Sequence, residues 1–149
     1  MLPGNERGDG GMKRYKELTI FTPNKPGQLA KVLTAIARAK VNITAMDSSS
    51  GYDLNMVRLV TSNPAQTRKV LEKLGHTVSE ATVLGFAVPD RPGELAQLTR
   101  CIGRAKVNID YNYVTAPARG DEALMIFHVS DFEAAERAVR AAGLAGNTR

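Results

Sequence analysis

The sequence predicts an α+β protein made of two consecutive βαββαβ units, each an antiparallel sheet with both helices on one face. Three observations carry this. Residues 24–43 (NKPGQLAKVLTAIARAKVNI) align with residues 90–109 (DRPGELAQLTRCIGRAKVNI) at a constant offset of 66 without a gap, and 11 of the 20 pairs are identical. Around each copy, short β-rich runs and amphipathic helical stripes follow in the same order. The chain is also long enough for two small domains: 149 residues give units of roughly 65–70, each marginal alone because so small a domain buries only about 60% of its unfolded surface. Two such units are therefore expected to pack side by side and share a seam.

In chain order, residues 1–11 (MLPGNERGDGG) hold four glycines and a proline without periodicity and read as a disordered leader. The first unit is expected over residues 12–82 and the second over 83–149. Leu18–Thr22 is a β-rich run ended by Pro23. Pro26-Gly27 opens a helix, with proline suited to its first position. Leu29, Val32, Leu33 and Ile36 follow at i, i+3, i+4 and i+7, an apolar stripe of helical period. Val41–Met46 reads as a second strand, SSSG (48–51) as a turn and Leu54–Thr61 as a third strand. Asn63-Pro64 starts a helix that Gly75 stops, and Thr77–Thr82 supplies a fourth strand.

The second copy repeats the plan. Val83–Val88 is its first strand, Leu95, Leu98, Thr99 and Ile102 form its helix stripe, and Val107–Thr115 its second strand. The loop 116–121 is two residues longer than its counterpart, which shifts the offset to 68. Ala123–Val129 is the third strand, and Ser130 with Glu133 reads as a capping box for a helix through Ala142, ended by Gly143. Only LAGNTR follows, too short and polar for a fourth strand. Either this sheet has three strands or another segment covers the edge, because a bare edge invites pairing with other chains.

Composition narrows the function classes. The chain is 43% hydrophobic and 23% charged, the balance of a soluble globular protein. No run approaches the roughly 18 apolar residues of a membrane span, and no secretory signal core precedes the fold, so no membrane role is expected. A lone cysteine, Cys101, excludes an internal disulfide and fits a reducing compartment, with the cytoplasm as the default. The net charge of +5 is unevenly placed: residues 12–82 carry eleven Lys/Arg against five Asp/Glu, giving +6, residues 83–149 balance at eight each, and residues 1–11 supply −1. A basic half raises nucleic-acid binding as a reading, but the basic residues are scattered as on a solvated face. His76 and His128 are 52 residues apart with no ligand-spaced cluster, so no metal site is expected. Cys101 lies on the second-copy helix beside Ile102, where a packing role outweighs a nucleophilic one. The Asp121-Glu122 pair falls in a loop unsuited to acid/base catalysis, and no phosphate-cradling glycine loop or other cofactor motif is present.

The chemistry concentrates at two places in each copy. Pro23-Asn24-Lys25-Pro26-Gly27 and Pro89-Asp90-Arg91-Pro92-Gly93 each set a short polar side chain just before a helix start. The free N–H groups and positive dipole end there suit a carboxylate, and Gly27 and Gly93 let a ligand approach the backbone. Asn24 or Asp90 is then placed to accept from an ammonium; the alternative is that both simply shape the loop. Asn42 and Asn108 recur at the start of the second strands, where asparagine is uncommon. An amide there serves either a zwitterionic ligand or a turn-closing hydrogen bond. Tyr111 and Tyr113 alternate on one strand, as a pocket wall or as cross-strand packing.

The pattern D/N-x-P-G-x-L-A, a helix, then V-N-I, on a βαββαβ unit, resembles the ACT domain, a small regulatory module that binds amino acids. The resemblance covers about residues 16–142, with Asn24 in place of the usual aspartate in the first copy. It implies a ferredoxin-like fold, two units side by side, no catalysis and no cofactor. It also implies an amino acid held at the seam, with contacts from Asn24, Pro26, Gly27, Gln28, Leu29, Asn42 and Ile43 and from their second-copy counterparts Asp90, Pro92, Gly93, Glu94, Leu95, Asn108 and Ile109. The chain is similar to stand-alone tandem ACT proteins of bacteria, and a homodimer is expected because one-faced sheets keep open edges. A second class is a regulatory subunit that docks on a separate biosynthetic enzyme, as the small subunit of acetolactate synthase does. RNA binding is disfavoured, because the third strands LNMVRLVT and ALMIFHVS lack the aromatic signature of RNA-recognition sheets of the same order.

Overall fold

The computed structural model describes residues 11–115 and 122–144. The expected leader (save Gly11), the longer loop at 116–121 and the residues after Leu144 lie outside the described residues. The chain runs β1 (Met12–Pro23), α1 (Gln28–Arg38), β2 (Ile43–Ser50), β3 (Leu54–Thr61), α2 (Pro64–Lys73), β4 (Ser79–Pro89), α3 (Glu94–Arg104), β5 (Ile109–Thr115), β6 (Glu122–Val129) and α4 (Phe132–Ala141). These elements form two compact units, one of Lys16–Thr82 and one of the chain from Val83 together with the segment up to Tyr15.

In the first unit the strand order is β2-β3-β1-β4, the order of the ferredoxin-like sandwich. β3 runs antiparallel to both β1 and β2, pairing Leu18 with Leu59 and Ile20 with Val57. Strand alternation sends Leu18, Ile20, Val57 and Leu59 to the helix side, where Val32 and Ile36 of α1 and Leu71 of α2 complete a core at most 1% exposed. β2 continues through Ser48–Ser50, where the sequence reads as a turn, because all three serines pair with Val57, Met56 and Asn55. Asn63 caps α2, its Oδ1 accepting from Gln66 N at 3.0 Å, with Pro64 at the first helical position; Gly75 ends the helix at φ 90°.

In the second unit the order is β1-β4-β6-β5. Leu84, Phe86 and Val88 of β4 and Met125, Phe127 and Val129 of β6 meet Leu98 and Ile102 of α3 and Ala135 and Val139 of α4. Phe86 and Phe127 pack edge to face, with ring centroids 5.7 Å apart. The missing fourth strand of this unit is supplied from the far end of the sequence. Met12 is 5% exposed inside this core, Arg14 makes a two-pronged ion pair with Glu136 of α4 (2.7 and 2.9 Å), and the Tyr15 ring lies over Gly85. The start of β1 therefore belongs with the second unit, although the repeat alone assigns residues 12–15 to the first. Likewise the expected strands 77–82 and 83–88 are one continuous strand, β4.

Two local expectations shift by a residue. α1 begins at Gln28 with Gly27 as its N-cap, so Pro26 stands before the cap and not at the first helical position. α4 is capped by Asp131, whose Oδ1 accepts from Ala134 N at 2.9 Å. Ser130 is drawn elsewhere: its hydroxyl accepts from Asn108 N at 2.9 Å, which leaves the capping position to the stronger, charged acceptor beside it. No helix among the described residues is long and apolar enough to cross a membrane.

Candidate functional site

The two repeats build the loop before α1 and the loop before α3 in the same way. Lys25 N donates to Pro23 O and Arg91 N to Pro89 O, each at 2.9 Å. Gln28 N then reaches back to Lys25 O (3.3 Å) and Glu94 N to Arg91 O (3.4 Å). Gly27 and Gly93 sit at the N-cap positions with φ of 82° and 94°, a left-handed conformation that a side chain disfavours. Neither helix has a side-chain cap, whereas α2 and α4 both do. The amides of Leu29 and Ala30 in α1, and of Leu95 and Ala96 in α3, accordingly have no partner among the described residues. Each site is a pair of free donors at the positive end of a helix dipole, beside an exposed Asn24 or Asp90.

The surroundings of the two starts differ. In the first unit Asn24 N donates to Asp53 O at 2.9 Å, which ties the loop to the β2–β3 turn. Beside it, Phe21, Ser49, Ser50, Tyr52, Leu54 and Met56 line a depression of about 480 Å³. In the second unit Arg91 clasps Glu94 of the first helical turn, Nη2 to Oε1 at 2.7 Å. The α3 start therefore carries Asp90 and a neutralised Glu94–Arg91 pair, while the α1 start carries Asn24, Lys25 and the uncharged Gln28.

The structure does not bring the four asparagine and aspartate positions together within a unit. Asn24 and Asp90 stand where α1 and α3 begin, and Asn42 and Asn108 stand beyond the ends of the same helices. Eleven helical residues at 1.5 Å each span about 16 Å. Asn42 and Asn108 instead close the helix-to-strand turn through their backbones. Asn42 N donates to Ser62 Oγ (3.0 Å) and Ser62 N to Asn42 O (2.9 Å); Asn108 and Ser130 make the same clasp at 2.9 and 3.0 Å. A β-bulge follows in both copies, at Ile43–Ala45 and Ile109–Tyr111. The Asn108 side chain is also engaged, its Nδ2 donating to Asp110 Oδ1 at 2.7 Å.

Two polar features were not singled out from the sequence. Thr22 Oγ1 and Asn55 Oδ1 are buried without a hydrogen-bond partner among the described residues. Thr22 and Asn55 face each other across β1 and β3, at the end of the sheet where α1 begins. The signal was available: Thr22 is the third inward position after Leu18 and Ile20, and it is polar. The second feature is a chain of contacts in the second unit. Asp110 accepts from Asn108 and pairs with His128 Nδ1 at 2.8 Å, and the His128 ring stacks on Tyr111 at 4.9 Å. These contacts, that with His128 foremost, hold the Asp110 carboxyl below its ordinary range. Tyr111 thus takes the cross-strand packing role of the two open to it. Cys101 is partly buried and donates to Ala138 O at 3.3 Å, and burial pushes its thiol upward, away from the reactive thiolate. No group of three metal-ligating side chains occurs among the described residues.

Residues 13–144 match the family described as an ACT domain pair. No curated protein matches the chain. Among solved structures it resembles protein BT0572 from Bacteroides thetaiotaomicron, at 25% identity and a TM-score of 0.81 over 89% of this chain and 91% of that one. It also resembles the ligand-free regulatory subunit of aspartate kinase from Thermus thermophilus, at 18% identity and a TM-score of 0.67 over 92% and 97% of the two chains. Aspartokinase III of E. coli, in complex with lysine and aspartate, shares the fold at 17% identity and a TM-score of 0.54, over 89% of this chain and 32% of that one.

Proposed function

The chain belongs to the family of ACT domain pairs, and from that premise we propose that it is a non-catalytic regulatory protein that binds free amino acids at the starts of α1 and α3. The observation that carries this reading is the duplicated, uncapped helix start with a left-handed glycine, which α2 and α4 do not share. A ligand carboxylate takes the amides of Leu29 and Ala30, or of Leu95 and Ala96, and its ammonium meets Asn24 or Asp90. Pro26, Gln28, Pro92 and Glu94 shape the rim. Because Asn42, Ile43, Asn108 and Ile109 stand at the far end of their own helices, in this reading they reach a ligand from a second copy of the chain, so a homodimer is part of the proposal. The cytoplasm, where free amino acids are made and sensed, is the compartment it implies.

Calorimetric titration with the twenty amino acids, followed by Asp90→Ala and Asn24→Ala with the ligand found, tests this directly. Asp90→Ala is expected to weaken binding more than Asn24→Ala, because a charge-assisted hydrogen bond is roughly twice as strong as a neutral one. Unchanged affinity in both variants leaves these residues with loop-shaping alone and ends the reading.

A second reading is a regulatory subunit that docks on a separate amino-acid biosynthetic enzyme. Its support is that the chain covers 97% of a Thermus aspartate kinase regulatory subunit, a protein of nearly the same extent. Co-purification from the native source separates the two: a dedicated subunit brings its catalytic partner with it.

A further inference from the structure

The second unit carries an open groove. It lies on the outer side of the helix pair α3/α4, measures about 760 Å³, and has Arg100 and Arg104 on one rim over a floor of Ala105, Ala138, Ala141 and Ala142. The internal repeat supplies its own comparison. At the 68-residue offset, Ala138, Ala141 and Ala142 stand where α2 has Val70, Lys73 and Leu74, and at the 66-residue offset Arg100 stands where α1 has Thr34. These α2/α4 positions therefore carry larger side chains in the first unit and alanine in the second, which adds a cation at Arg100.

Among the described residues no carboxylate answers the charge on this rim. Arg100 and Arg104 are four residues apart on one helix face, where like charges repel. Neither has a carboxylate within ion-pair distance among the described residues, and no acidic side chain lines the groove. Of the carboxylates on α3 and α4, Glu94 and Glu136 are held by Arg91 and by Arg14. Alanines on two adjacent helices let a third helix approach closely, and guanidinium groups on the rim match carboxylates on such a helix. A small free anion fits less well, because the groove is open along its length and would leave the anion and both arginines hydrated.

We propose that the α3/α4 groove docks an acidic amphipathic helix of a partner protein, with the helix's apolar stripe on the alanine floor and two of its carboxylates, one turn apart, on Arg100 and Arg104. This does not depend on the amino-acid sites, because none of the groove residues belongs to them.

The full chain is used to select from a displayed library of amphipathic helices bearing Glu at i and i+4, against a matched library bearing Lys. Selected peptides are then measured by fluorescence anisotropy. Cys101, the only cysteine, also lines the groove and reports occupancy through its rate of reaction with a thiol-directed disulfide reagent. Acidic helices are expected to be enriched, to bind at micromolar concentration and to slow modification of Cys101 at least fivefold. Two variants follow. Ala138→Val with Ala142→Leu fills the groove with the residues that stand at these positions in the first unit, and Arg100→Gln with Arg104→Gln removes the charge. Each is expected to weaken binding tenfold or more while circular dichroism and thermal unfolding stay unchanged. The proposal is overturned if acidic helices are not enriched over basic ones, if binding survives both variants, or if Cys101 is not protected. Equal, variant-sensitive binding of a single-stranded oligonucleotide would also overturn it, by assigning the groove to nucleic acid.

Discussion

Substituting Gly85 by alanine probes the least local feature of this fold, the packing of the start of β1 in the second unit. A Cβ built at Gly85 stands 2.8 Å from Tyr15 Cδ2, closer still to Cε2, and 3.3 Å from Leu124 Cδ1. Leu124 yields by a few tenths of an ångström, but the tyrosine ring occupies the position and has to be displaced. Overpacking of this kind costs about 1–3 kcal/mol. The ordinary gain from Gly→Ala through the unfolded chain offsets about 0.4–1 kcal/mol of it. The net expectation is a loss of about 1–2 kcal/mol, which for a protein near this size lowers Tm by about 3–6 °C. Urea and thermal unfolding of Gly85→Ala, Tyr15→Ala and the double variant measure it as a cycle. Tyr15→Ala should relieve the Gly85→Ala penalty, with a coupling of at least about 0.5 kcal/mol. If Gly85→Ala is neutral or stabilising, or costs the same with Tyr15 removed, the ring does not cover β4 and the assignment of residues 12–15 to this unit fails.

Three further outcomes are expected. Asp131→Ala removes the cap of α4 and should cost about 1 kcal/mol in urea unfolding, whereas Glu133→Ala, which removes the partner a Ser130 capping box requires, should be within about 0.5 kcal/mol of the parent. The Glu136 carboxyl is held below its ordinary value of 4.5, first by the Arg14 hydrogen bond. A depressed carboxylate contributes stability that is present above its unfolded pKa and lost as pH falls through the folded one. Arg14→Gln should therefore flatten the loss of stability below about pH 4.5, and an unchanged acid limb in a pH series of unfolding curves would contradict the pair. Gly93→Ala forces a side chain into the left-handed region and should cost about 1–2 kcal/mol, since a Cβ there meets no atom within 4 Å and the penalty is backbone strain alone; a neutral result in thermal unfolding would refute that conformation.

The repeat and its two periodicities determined most of the architecture, because each is a local property. The stripe Leu29, Val32, Leu33 and Ile36 and the alternation of Leu18, Ile20 and Thr22 need only the geometry of one helix and one strand. Gly75 and Gly143 ended their helices as read, for the same reason. The separation of Asn24 from Asn42 was also legible, since an eleven-residue helix stands between them. Three things required the tertiary structure. No pattern at residues 12–15 says that they complete a sheet whose other strands begin some seventy positions later, because strand pairing at that range depends on which edge is open. Ser130 and Asp131 are both good capping residues, and only the nearness of Asn108 N decides which of them caps. The alanines of α4 look like ordinary helix formers in one dimension; once α3 is laid beside them, Ala138 and Ala141 line a groove with Arg100 and Arg104. Local rules settle what each segment becomes, and only the packed chain settles which segments share a surface.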